Sequence, residues 1–198
     1  MRCTTKRLAM PLAHRVAAAL ILLGLSMVAT APHAEPSNVS PTGFVITHRA
    51  EITASPSQAW QAIVALPQWW SGKHSWSGSA ANFSLDAQAG GCFCERWVDA
   101  SGAANSVQHG QVVVVQAGRV LRLAAALGPL QDLAVNGVLN IVTSAGTGNE
   151  AAKNFLRISY RVAGDASANL DKLAGPVDGV IGEQFKRLKA LIETGKVE

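Results

Sequence analysis

The spacing of apolar positions changes period several times along the chain, and each change marks an element. Residues 44–53 (FVITHRAEIT) mix β-branched and polar positions and predict a first strand. Ser55-Pro56-Ser57-Gln58 then supplies an N-cap serine, a proline at the first helical position and a glutamine able to close a capping box. The apolar series Ala59, Trp60, Ile63, Val64 follows, so a helix is predicted to end near Leu66-Pro67, with Gln68-Trp69-Trp70 as a further short turn. Six strand-like runs come next, at residues 82–86, 91–98, 107–116, 119–126, 135–143 and 154–163. Hairpin turns at Ser101-Gly102 and Ala117-Gly118 make the sheet antiparallel and largely sequential. Residues 127–133 (LGPLQDL) interrupt it as a loop or a single helical turn. Finally Leu170, Leu173, Val177, Val180, Ile181, Phe185, Leu188, Leu191 and Ile192 recur at helical spacing until Gly195. Gly175-Pro176 is expected to kink or restart this last helix.

Within the strands the alternation separates two faces. Phe93, Trp97, Leu121, Leu123, Leu139, Ile141, Leu156, Ile158, Tyr160 and Val162 fall on one, and Arg96, Arg122, Arg157 and Arg161 on the other. The apolar face must meet the apolar stripe of the last helix. The fold class is therefore α+β, an antiparallel sheet of about seven strands packed on a long C-terminal helix.

The amino terminus needs separate treatment. Arg2, Lys6, Arg7 and Arg15 precede a 14-residue uncharged apolar run at residues 16–29, short for a membrane span of about 20 residues. This is the layout of a signal peptide covering residues 1–34, with cleavage after Ala31 or Ala34, and it predicts a periplasmic or secreted protein. A flexible lead-in at 35–42 and one domain at 43–198 follow. Removing the signal takes four of the 17 basic residues and leaves 13 against 13 acidic ones, a net charge of zero. An electrostatic case for nucleic acid goes with it. Stable membrane insertion of the mature chain is not expected either. Cys92 and Cys94 remain; residues two apart in a flat strand stand roughly 6.6 Å apart, near the upper limit for a disulfide, with parallel side chains, which favours two thiols packed on one face over a strained bridge. A metal site would need two further ligands, and none stands at ligand-like spacing, so neither metal nor cofactor is expected.

Five segments carry a likeness to a known family: Ile52-Thr53-Ala54-Ser55-Pro56 leading to Ala59-Trp60; Trp69-Trp70; Gly90-Gly91-Cys92-Phe93-Cys94-Glu95; His109-Gly110-Gln111-Val112; and the closing helix at 180–192. Over residues 44–194 the chain resembles the START-like helix-grip superfamily, also called SRPBCC, in its polyketide cyclase and heat-shock-ATPase-activator-like branch. The resemblance implies a helix-grip fold, a curved antiparallel sheet of about seven strands wrapped around the last helix, with a small apolar or amphipathic ligand held between them. It is specific for fold and poor for function.

Candidate site residues follow from both readings. Glu95 alternates with Phe93 and Trp97 and faces inward, across from or diagonal to His109. A buried carboxylate beside an imidazole either acts as an acid/base pair or grips a polar head group, or the two simply satisfy each other. Trp69, Trp70 and Trp76 gather in the stretch ALPQWWSGKHSW, either as core or as cavity wall. His74 and Lys73 read as solvated loop residues. Tyr160, the only tyrosine, could donate to a carbonyl in the cavity or to the backbone. Two functions stand on this constellation: a ligand-binding domain, and a cyclase, dehydratase or isomerase using Glu95 with His109 or Tyr160.

Overall fold

The apolar face is the inner face of a curved, unclosed eight-stranded antiparallel sheet in a computed structural model, which describes Met1 and residues 36–197. Apart from Met1, the expected signal peptide lies outside the described residues. The strands are β1 (Ser37–Ser40), β2 (Gly43–Ile52), β3 (Phe83–Leu85), β4 (Cys92–Val98), β5 (Ala104–Gln116), β6 (Val120–Ala124), β7 (Val135–Ala145) and β8 (Asn154–Gly164), in the order β1-β2-β8-β7-β6-β5-β4-β3. Helix α1 (Pro56–Val64) and the single turn α2 (Leu66–Trp69) connect β2 to β3, and α3 (Leu170–Thr194) closes the chain.

Local chemistry sets these boundaries. The Ser55 hydroxyl accepts from the Gln58 N–H while the Gln58 side chain accepts from the Ser55 N–H, so the capping box predicted for α1 is formed. Gly118 and Gly102 turn their hairpins at positive φ, +72° and +84°. At the second of these, Asp99 accepts from the N–H groups of Ser101 and Ala103 and from both Ser101 and Asn105 side chains. Those bonds, the Ser101 hydroxyl first, pull its carboxyl down to about 2. Gly195 ends α3 with φ +72°.

Pairing places the inner residues side by side, with Leu123 opposite Leu139 and Ile141 opposite Ile158, all buried. Arg96, Arg122, Arg157 and Arg161 are exposed on the outer face.

Three expectations need adjustment. Residues 37–40, anticipated within a flexible lead-in, pair with β2 as an edge strand, where the Ser37 hydroxyl also donates to Val45 O; this is the eighth strand. Pro176 lies inside α3, which continues through it without restarting. A proline in the second turn removes one backbone donor, and the residues after it bury enough apolar surface to outweigh that loss. Cys92 and Cys94, expected as separate thiols, form a disulfide across a Cα–Cα distance of 5.4 Å. The flat-strand estimate fails because β4 meets a bulge: Phe93 pairs with Gly110 but Cys94 with Gln108, leaving His109 as an extra residue in β5. A bulge raises the local twist of the strand pair, and a strongly twisted strand spans less per residue.

Candidate functional site

The same bulge sets the site. Normal alternation would send adjacent residues to opposite faces, yet His109 and Gly110 are both buried. His109 sits 4 % exposed on the inner face, its ring 4.9 Å from that of Phe93 and edge-on to Phe83 at 5.3 Å. Its Nε2 lies 2.9 Å from Glu95 Oε2. Glu95 is fully buried and accepts two more bonds from the backbone: Oε2 from Trp76 N–H at 3.0 Å, and Oε1 from Ser77 N–H at 2.6 Å. Burial pushes this carboxyl upward, but the Ser77 hydroxyl and N–H, the Trp76 N–H and His109 together outweigh it and hold Glu95 below the usual carboxylate range.

Glu95 therefore ties the loop after α2 to the sheet. Behind that loop Trp69 is completely buried, its indole N–H donating to Ile63 O at 3.3 Å, while Trp70 packs edge-on to Phe93 at 5.2 Å. From α3, Gln184 Oε1 accepts Ser71 N–H at 2.8 Å, Arg187 Nε donates to Trp69 O at 2.8 Å, and Glu183 meets His74 Nε2 at 2.9 Å. The His74 contact is the largest influence on Glu183 and lowers its carboxyl.

Between this loop, the first half of α3 and residues 127–130 lies a cavity of about 450 Å³. Leu127, Pro129, Leu130, Leu173, Val177 and Val180 supply apolar wall; Trp70, Trp76 and His109 also line it, with Lys73, His74 and Ser75 along the same loop. Trp76 is 54 % exposed, at the rim. On the opposite wall the Tyr160 hydroxyl donates to Ala125 O at 2.9 Å and accepts Leu127 N–H at 3.1 Å, fixing the start of the 127–130 loop. Burial pushes the Tyr160 phenol well upward. Gly137 has no room for a Cβ against Ala125 O, which lets β7 approach there.

Of the candidates read from the sequence, Trp70, Trp76 and His109 line the cavity, with Glu95 behind His109 and Phe93 packed against both Trp70 and His109. Trp69 and Tyr160 are sealed in the core. Trp97 is half-buried near the end of β4, beside a shallow surface depression at Val98 and Asn105. The Leu127–Leu130 wall and Gln184 were not singled out. The first had a signal in Gly128-Pro129 interrupting the strands; Gln184 had one as an amide lying on the apolar stripe, three residues after Ile181. Among the described residues no group of three or more His, Cys, Asp or Glu side chains could hold a metal ion, and no helix is long and apolar enough to cross a membrane.

No protein-family model matches the chain, and no curated protein matches it in sequence. Solved structures do. A protein of unknown function from Staphylococcus aureus superposes with a TM-score of 0.53 at 14% identity, covering 77% of this chain and 95% of that one. An uncharacterized protein from Rhizobium leguminosarum gives 0.51 at 13% identity, over 76% and 94%. The fold is helix-grip-like. At such identities the likeness extends to architecture alone.

Proposed function

We propose that the chain is an exported START-like (SRPBCC) domain that holds a small apolar or amphipathic molecule between sheet and C-terminal helix. The cavity of about 450 Å³ carries this reading, because its walls are mainly apolar with a few polar groups on one side, the usual composition of a small-molecule site. Export draws on the basic-then-apolar amino terminus, and the Cys92–Cys94 disulfide supports it, since such bonds persist in oxidising compartments. Native mass spectrometry of protein purified from its own compartment tests the reading. A retained small molecule, released on denaturation, is expected; protein that is always empty and takes up no apolar probe would overturn it.

A second reading, an enzyme of cyclase, dehydratase or isomerase type, is favoured by one observation: the Glu95-backed His109 ring reaches the cavity. Tyr160 adds nothing to it, because its hydroxyl already donates and accepts within the protein. An enzyme would be isolated mostly empty and would turn over added substrate. A heat-shock-ATPase activator is disfavoured, as export would part the chain from a cytosolic, ATP-dependent partner.

A further inference from the structure

We infer that His109 meets the ligand as a hydrogen-bond acceptor, so that the cavity selects apolar molecules carrying a hydroxyl donor. This deepens the binding reading above and rests on it.

The inference begins at Glu95. Each of its oxygens faces a backbone N–H, Ser77 on Oε1 and Trp76 on Oε2, and an N–H can only donate. These bonds stabilise the ionised carboxylate, which in turn can only accept. At 2.9 Å from Oε2, His109 Nε2 is then the donor, and the ring proton sits on that nitrogen. A neutral imidazole protonated on Nε2 has its lone pair on Nδ1.

No group of the described residues bonds Nδ1. Among the described residues the buried side-chain nitrogen or oxygen left without a partner is Gln184 Nε2, so His109 Nδ1 is not sealed inside protein. On this inference Nδ1 opens toward the cavity that the ring lines. It has little freedom to turn, held by Glu95 at one nitrogen and packed against Phe93 and Phe83. The result is a buried acceptor of fixed direction in a mainly apolar hollow. A guest bringing a donor pairs with it; a guest without one strips water from Nδ1 and gives nothing back.

Calorimetric titration with 4-propylphenol and its methyl ether, 4-propylanisole, tests this with one apolar body and a single donor changed. A featureless apolar hollow would prefer the ether, which costs less to dehydrate. The phenol is expected to bind about tenfold tighter. His109→Phe is expected to bring the two within about threefold while the ether's affinity stays within a similar range. In free wild-type protein, imidazole ¹⁵N shifts of His109 are expected to show Nε2 protonated and Nδ1 bare, a readout that also serves should His109→Phe fail to fold. Equal binding of the two compounds, tighter binding of the ether, or a proton on Nδ1 would overturn the assignment while leaving the binding reading intact. So would a preference for 4-propylbenzoate abolished by Lys73→Met, which would move recognition to the charged rim. If none of the compounds bound, the binding reading itself would fall, and this inference with it.

Discussion

The two halves of α3 have the same apolar spacing and different surroundings. From Phe185 to Leu188 the stripe is sealed: both are buried away from the cavity, and Phe185 stacks on His48 of β2 at 5.6 Å, while Ile181, buried yet lining the cavity, stands at the boundary. From Leu173 to Val180 the equivalent positions are only half-buried and face the cavity. Polar anchors gather on the sealed half, where Gln184 and Arg187 bind the α2 segment and Glu193 accepts from both the N–H and the hydroxyl of Thr53. On its other side the first half meets β2, where Asp178 bonds His48 at 2.9 Å, but across the cavity it faces two loops, each tied to the sheet by a buried polar group: residues 76–77 by Glu95, and residue 127 by Tyr160. The hollow persists because its walls are fastened outward. Loops free to move would collapse onto the helix and bury Leu173, Val177 and Val180.

This contrast can be broken at its sealed end with the largest effect. Leu188→Ala is expected to lower stability by about 2–5 kcal/mol in urea denaturation, through lost transfer energy and an unfilled hole. A cost under about 1 kcal/mol would mean that the second half of α3 is as loosely held as the first.

The fastening of the rim loop comes next in size. Glu95→Gln places an NH₂ where an oxygen stood, and in either orientation of the amide it confronts a backbone N–H, of Ser77 or of Trp76. A loss of about 1–3 kcal/mol is expected. Glu95 sits below its ordinary value of 4.5, so its contribution is full above that pH and is lost as the pH falls through its lower folded value. Melting temperatures of wild type should fall with acid in that window and converge on those of the variant. Parallel curves would show that the carboxylate is not what holds the loop.

Reduction of the Cys92–Cys94 disulfide is expected to cost no more than roughly 1.5 kcal/mol, because it closes a loop of only three residues. Comparing thermal melts with and without reductant measures this, and a larger loss would tie the bond to the Phe93 packing of the site. Val177→Trp has the smallest expected effect on stability, within about 1 kcal/mol, since the new ring has a hollow to enter. Uptake of an apolar fluorescent probe should nevertheless be abolished. The same substitution at Leu188, buried and away from the hollow, should destabilise by about 1–3 kcal/mol.

Much of the fold was legible because it depends on period and on local caps. The Ser55 capping box, the alternation in β6, β7 and β8, and the stop at Gly195 each need only a few neighbouring residues to be recognised. Glu95 and His109 were legible as an inward pair for the same reason. What escaped depends on partners far along the chain. Leu173 and Leu188 belong to one stripe in the sequence, and only the identity of the facing segment separates a cavity wall from core. The disulfide escaped because the bulge that bends β4 resides in β5, where the sequence QHGQ reads as ordinary alternation. Trp69 and Trp70 are adjacent, so one had to turn inward, but which one borders the hollow is decided by how α2 lies against α3.

An unclosed sheet leaves two borders, and each ends in a short strand: Ser37–Ser40 beside β2 and Phe83–Leu85 beside β4. Strands of four and three residues expose few free amide and carbonyl groups, so each offers a neighbouring molecule little template for strand addition. Lateral growth would have to start where these short strands do not reach, along residues 46–52 of β2 or 96–98 of β4.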